Sequence, residues 1–253
     1  MRRRSSYTYE SEEGNYILSV SDLMSGLLFI FIITLVFFVI KYKSINKSLA
    51  SRDQIRTEIL HTVDEKIQDM NIEKNLDVYV DTKNGIITLR DKKDKMFFRS
   101  GMAQPEENGI MAIESLSDIF AGILPCYTSQ ADLCQLEMLP PLEERTLESV
   151  YIEGHTDIVP VGPACKYEDN WDLSANRAIK TYQILTKKNS ILEDLTNQSG
   201  QKIFSVAGYA GTRSLSSGDS PKERALDRRI DFRLVMSPPD KLSSEIEQQF
   251  QAR

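Results

Sequence analysis

Across 253 residues with a formal net charge of −6, acids and bases are interleaved everywhere except in Arg2, Arg3 and Arg4, a distribution that argues against nucleic acid as a partner. Three cysteines and two histidines without C-x-x-C or H-x-x-x-H spacing make a poor metal set, so no metal is expected. The length suits one membrane span and one domain of ordinary size.

Residues 1–16 are polar and charged and are expected to form a flexible tail. Residues 17–40 form an unbroken apolar run apart from one acid. At about 1.5 Å per residue such a helix covers the roughly 30 Å hydrocarbon core, so the run is expected to be a transmembrane helix. Its length and the lack of a small-residue cleavage site argue for an uncleaved anchor rather than a signal peptide. Arg2, Arg3 and Arg4 precede the run while Lys41, Lys43 and Lys47 follow it, which leaves the orientation open on charge alone.

The acid is Asp22. An ionised side chain at the centre of a span costs about 2.5 to 3.5 kcal/mol, whereas each Leu, Ile or Phe returns a few tenths, so an acid there needs a protein partner or a water path. Ser19, Ser21, Ser25 and Gly26 surround it with a small, hydrogen-bonding surface that another helix could approach closely. Ion handling by Asp22, with Ser21 and Ser25, is the expectation; the plainer alternative is a shallow charge marking the membrane interface.

Residues 41–76 are rich in helix formers, and Ile45, Leu49, Ile55, Ile59, Val63, Ile67 and Met70 suit one face of a stalk. That stripe fits equally a second copy of the chain or packing on the domain that follows. Asp77 to Asp81, the turn at Asn84-Gly85 and Ile86 to Arg90 read as a hairpin. A helix is expected over 105–124, started by Pro105. A loop with Cys126 and Cys134 follows, able to close a small disulfide in an oxidising compartment. The pattern then gives a strand at 150–153, a helix at 173–185, and strands at 203–207 and 229–236. The charged tail 237–253 is expected to be loose. This order predicts an α+β class, with helices packed on one sheet.

The strings Gly85 to Leu89, Phe98-Arg99-Ser100-Gly101, Ile152-Glu153-Gly154-His155-Thr156-Asp157, Leu173-Ser174-Ala175-Asn176-Arg177-Ala178 and Asp227-Arg228-Arg229-Ile230 resemble, in order and spacing, the OmpA C-terminal domain family over residues 77–236. The resemblance implies a βαβαβ-type sandwich that binds bacterial peptidoglycan. It also implies that Asp157 and Arg177 hold the diaminopimelate of the wall peptide, with Thr156, Leu173, Asn176 and Arg228 beside them. Such a ligand needs an acid for its ammonium and a guanidinium fork for its carboxylate. A structural ion pair between Asp157 and Arg177 is the competing reading. Two departures from the family, the long segment Ile158 to Asp172 and Asp227 in place of its usual Asn, are expected to alter the pocket rim. A catalytic use of His155 with Asp157 and Ser174 lacks a nucleophile-elbow string, so no enzyme is expected; Trp171 and Tyr209 read as packing or pocket wall.

A lone N-terminal span carrying an acid, joined to an OmpA-like domain, is similar to the B subunits of ion-driven stators, with MotB as archetype, and most similar to the ZorB family of Zorya anti-phage defence. That resemblance implies a homodimer inside five copies of a multi-span MotA- or ZorA-like subunit, moving protons, or less readily sodium, without a resident cofactor. It places the chain in a bacterial inner membrane, N-terminus cytoplasmic and domain periplasmic. A passive wall tether and a flagellar-type stator are the alternatives.

Overall fold

The computed structural model describes residues 9–70, 77–92, 96–141, 145–163, 165–215 and 220–238, with side chains of the first helix from Val20 onward. The expected tails and the end of the stalk therefore lie in part outside the described residues. The chain divides into two compact units, Met1–Ala50 and Ser51–Arg253.

The first unit is helical. Helix α1 (Tyr9–Asp69) begins well before the apolar run, so the expected flexible tail is corrected over 9–16. Between Val20 and Ile40 the apolar side chains are exposed all round the helix. A helix that is apolar on every face and unburied suits hydrocarbon rather than water.

The second unit takes in Ser51 to Asp69, the last turns of α1. It continues with β1 (Asp77–Asp81), β2 (Ile86–Arg90), α2 (Glu107–Ile123), β3 (Leu147–Gly154), α3 (Asn170–Lys188), the single turn α4 (Ile191–Asp194), β4 (Phe204–Gly208), α5 (Pro221–Asp227) and β5 (Arg229–Met236). The strands form one sheet in the order β1-β2-β5-β3-β4. β3 and β4 run parallel, and the other neighbours are antiparallel. The unit is thus an α+β layer of helices on one sheet, with the β1–β2 hairpin as its edge.

The helix-covered face explains the stalk stripe. Ile55, Ile59, Val63 and Ile67, spaced one helical turn apart, are buried in the same core as Ile87 and Leu89 of β2, Ile230, Phe232 and Leu234 of β5, and Ile113, Leu116 and Phe120 of α2. This outer part of the stripe packs on the unit's own domain, while Leu49 and Met70 stay exposed. At the hairpin turn Gly85 adopts φ 76°, and Arg56 of α1 donates to the Lys83 carbonyl at 3.0 Å. Cys126 and Cys134 are joined by a disulfide across a Cα separation of 4.6 Å. In the chain-entropy account, closing so short a loop contributes about 2.5 kcal/mol.

The end of β3 approaches the backbone of α3 too closely for a side chain. A Cβ on Gly154 would fall on the Ser174 carbonyl, and one on Gly208 would lie 2.6 Å from the Ala175 amide nitrogen. Gly154→Ala is therefore expected to destabilise the unit by about 3 kcal/mol, because backbone cannot yield as a side-chain tip can. For a unit of this size that is a fall in Tm of roughly 6–12 °C by calorimetry, and an unchanged Tm would refute the close-packing argument.

Candidate functional site

A cleft of about 750 Å³ opens where the loop after β2, the end of β3, the start of α3 and α5 meet. Its floor is Arg177. Asp169 caps α3 by accepting from the Asp172 amide at 2.8 Å, and two turns on Arg177 is 1% exposed. Its guanidinium donates to the carbonyls of Met102 at 3.1 Å, His155 at 3.0 Å and Arg99 at 3.5 Å, and lies 4.5 Å over the Phe98 ring. Three of five N–H groups are so used, leaving two. Burial, reinforced by the nearby Arg228 charge, pushes Arg177 down to about 10, which keeps it cationic at neutral pH.

Asp157 sits at the cleft wall. Arg228 bridges it to Asp91, with Nη1 3.1 Å from Asp157 and Nη2 2.9 Å from Asp91. Asp157 and Arg177 thus line one cleft without pairing with each other, which corrects the reading of a loop–helix ion pair. Thr156 and Leu173 are buried and line the same cleft. The Thr156 hydroxyl has no hydrogen-bond partner. Asn176 does not face the cleft; its amide holds the first turn of α3 through Asp172 Oδ1 at 2.7 Å and the Asp172 carbonyl at 2.9 Å.

The long segment after Asp157 forms one wall, through Val159, Pro160, Val161, Gly162, Pro163, Cys165 and Lys166. Asn170 fastens it by donating to the carbonyl of Val159 at 2.9 Å. Asp227, by contrast, is not at the rim. It accepts from the Ser214 hydroxyl and the Leu215 amide, both at 2.7 Å, and so ties down the loop before α5. Asp91 was not foreseen, because its partner Arg228 is 137 residues away and no local pattern announces such a bridge. Phe98 and Met102 were within reach, since Phe98-Arg99-Ser100-Gly101 marks their loop.

In the first unit, Asp22 is exposed on α1, and no side chain among the described residues meets its carboxylate. Ser25 turns its hydroxyl back to the Asp22 main-chain carbonyl at 2.8 Å. At about 100° per residue, Asp22, Ser25 and Gly26 share one arc, with Ser21 beside Ser25. Apart from the helix's own backbone and the two chain neighbours, no heavy atom among the described residues lies within 4 Å of where a Gly26 Cβ would stand.

No family model matches this chain, and no curated protein matches it. Several solved structures are similar. A MotB-like protein from Desulfovibrio vulgaris is 18% identical with a TM-score of 0.45, the match covering 78% of this chain and 99% of that one. The periplasmic domain of Helicobacter pylori MotB is 17% identical, TM-score 0.44, covering 65% and 84%. The cell wall anchor of the T6SS from Pseudomonas aeruginosa is 16% identical, TM-score 0.43, covering 68% and 96%. At these values they are resemblances in outline.

The sheet face opposite the apolar core holds a separate, buried polar network. Arg233 forks Glu153 at 2.8 and 2.9 Å, Arg229 meets Asp231 at 3.0 Å, and Thr88 donates to Asp231 at 2.7 Å. His155 is buried here, with Nε2 3.2 Å from Asp231 and its ring stacked on Tyr209 at 5.4 Å. It therefore points away from Asp157. Ser174 is committed to the Trp171 carbonyl and the Ala210 amide, so the three do not converge as a catalytic set. Glu153, His155 and Asp231 do offer atoms within 4.8 Å of one another, but arginines already occupy both carboxylates.

Burial raises the Asp231 carboxyl, while His155, Arg229 and Thr88 together pull it further the other way, to below the ordinary carboxylate value of 3.8. A depressed folded value means the unfolded state takes up its proton first. The stabilisation is thus complete above about pH 4 and is lost as pH falls through the lower, folded value. Urea unfolding from pH 7 down to 3 should show this acid loss in the native chain and a smaller loss in Asp231→Asn; equal slopes would rule the network out as its source.

Proposed function

We propose that the chain is the wall-anchored, ion-carrying B subunit of a proton-driven inner-membrane motor of the MotA–MotB type, and among these the ZorB-like subunit of a Zorya anti-phage defence motor. The observation that carries it is Asp22, an acid set among serines on a helix that is otherwise apolar and exposed, with no side chain among the described residues meeting its carboxylate. A single span cannot enclose an ion path, so the carboxylate requires another chain. Five copies of a multi-span ZorA- or MotA-like subunit would surround two of this chain. Protonation removes most of the acid's cost in hydrocarbon, so loading and release change which neighbour the helix prefers. Repeated around the ring, this gives stepwise rotation.

The cleft supplies the fixed point. The two spare N–H groups of Arg177 suit the carboxylate of a diaminopimelate terminus, and Asp157 suits its ammonium. On this reading the N-terminus lies in the cytoplasm and the cleft in the periplasm, an oxidising compartment that suits the Cys126–Cys134 disulfide. A passive tether would need the cleft but would leave Asp22 without a purpose.

Two measurements on the full chain test the reading. Pelleting with purified sacculi tests the anchor, and failure to pellet would remove it. Proton entry into vesicles holding the chain with its multi-span partner, followed by a pH-sensitive dye, tests the motor. No entry under conditions where a MotA–MotB stator conducts would leave the tether alone.

A further inference from the structure

Beside the cleft stands the chain's only tryptophan. Trp171 lies in the first turn of α3 and is 54% exposed, although so large an apolar ring is buried in most folds. It borders a second hollow of about 440 Å³, together with Ile158, itself 58% exposed. Pro160, Val161 and Asn170 line both this hollow and the cleft, so one wall separates the two. Ala210, also in the lining, holds a left-handed φ of 48°. It is pinned there, its amide donating to Ser174 Oγ and its carbonyl accepting from the Thr156 amide, both at 3.0 Å. The hollow is therefore preformed, which lowers the cost of filling it.

Its chemistry selects among ligands. The described lining includes two acids, Glu168 and Asp169, and no Lys or Arg, which turns away phosphate and other anions. A cation is best held by several aromatic faces, and Trp171 is the one ring in that lining. What fits is a neutral molecule with one apolar face and hydroxyls at its edge. The indole supplies a flat apolar surface with an N–H at its rim. Asp169 accepts from the Asp172 amide through Oδ1 alone, and the Thr212 hydroxyl gives its proton to the Tyr209 carbonyl at 2.6 Å, so both meet a ligand as acceptors. A pyranose ring matches this set, with C–H groups on its face and hydroxyl donors around it.

Wall chemistry brings such a ring to this place. The stem peptide that carries diaminopimelate is joined through its first residue to a wall sugar, and three extended residues span about 10 Å. A terminus seated on Asp157 and Arg177 thus holds that sugar within reach of the adjoining hollow, at an effective concentration of order millimolar. We propose that Trp171 is the stacking platform of a saccharide subsite, which takes the N-acetylated amino sugar bearing the stem peptide held in the cleft. This rests on the wall-binding reading above.

The test is calorimetric titration of the full chain in detergent with N-acetyl-L-alanyl-γ-D-glutamyl-meso-diaminopimelate and with the same tripeptide joined to N-acetylmuramic acid. The sugar-bearing ligand should bind about tenfold more tightly, the order of one aromatic platform contact. It should also move the emission of the single tryptophan to shorter wavelength, while the bare tripeptide leaves emission unchanged. Trp171→Ala, at an exposed position, should bind both ligands alike, at the tripeptide affinity of the native chain, and Trp171→Phe should keep part of the preference. Equal affinities in the native chain, or a preference that survives Trp171→Ala, would overturn the saccharide subsite and leave the anchor standing. Loss of self-association by Trp171→Ala on sedimentation would assign the face to a second copy and also overturn it. Binding of neither ligand would overturn it too, and failure to pellet with sacculi would then take the anchor with it.

Discussion

Asp22→Asn is expected to abolish proton entry into vesicles while the complex with the multi-span partner still assembles and the chain still pellets with sacculi. Asparagine keeps the size of the side chain but cannot take up and release a proton. It also lowers the cost of the helix in hydrocarbon, since the charged form is worth about 2.5 to 3.5 kcal/mol there, so insertion should not suffer. Asp22→Glu retains the titrating group one methylene further out and should conduct in part. Ser25→Ala should reduce flux less than Asp22→Asn, because the Ser25 hydroxyl is bonded to its own helix backbone at 2.8 Å rather than to the carboxylate. Undiminished influx in Asp22→Asn would sink the carrier assignment, whatever became of the anchor.

The elements that strict periodicity announces were legible in the sequence. The hairpin at Asp77–Asp81 and Ile86–Arg90 and the last strand at Arg229–Met236 stand where alternation puts them, because one face of each carries the apolar side chains of the core and a one-residue slip would turn them away from it. Strand β3 and helix α3 run longer at both ends than their apolar patterns. Helix α5 was not foreseen, although Ser220 and Glu223 form a capping box just before and within it; its short length leaves too few turns for an apolar period to show.

The candidate site divides the same way. Motif strings brought Thr156, Asp157, Leu173, Arg177 and Arg228 to one cleft. They could not say that Asp157 answers Arg228 rather than Arg177, nor that Asp91 completes the bridge, because those partners meet only through the sheet. His155 shows the hazard of neighbourhood in sequence: two positions from Asp157, it turns to the opposite side of the sheet end and joins Asp231. The length of the segment Ile158 to Asp172 was visible, but where it lies depended on how Asn170 fastens it.

Arg177→Ala is expected to remove wall binding and to cost the second unit about 3–5 kcal/mol, the range for truncating a large buried side chain to alanine. The side chain is 1% exposed and its guanidinium satisfies the carbonyls of Met102, His155 and Arg99. Alanine would leave those acceptors without their donors and open a void under Phe98. Tm should fall by roughly 6–20 °C, so binding must be read well below the new midpoint, with circular dichroism confirming the fold. Asp157→Asn separates the two effects: it touches no carbonyl of that floor, keeps its shape beside Arg228, and should weaken peptide binding with little change in Tm. Arg177→Lys completes the series, since one ammonium cannot serve three carbonyls and still fork a ligand carboxylate. It should recover part of the stability and little of the binding. Full pelleting of folded Arg177→Ala with sacculi would show that the guanidinium is a structural cation only, and the ligand carboxylate would have to be sought elsewhere in the cleft.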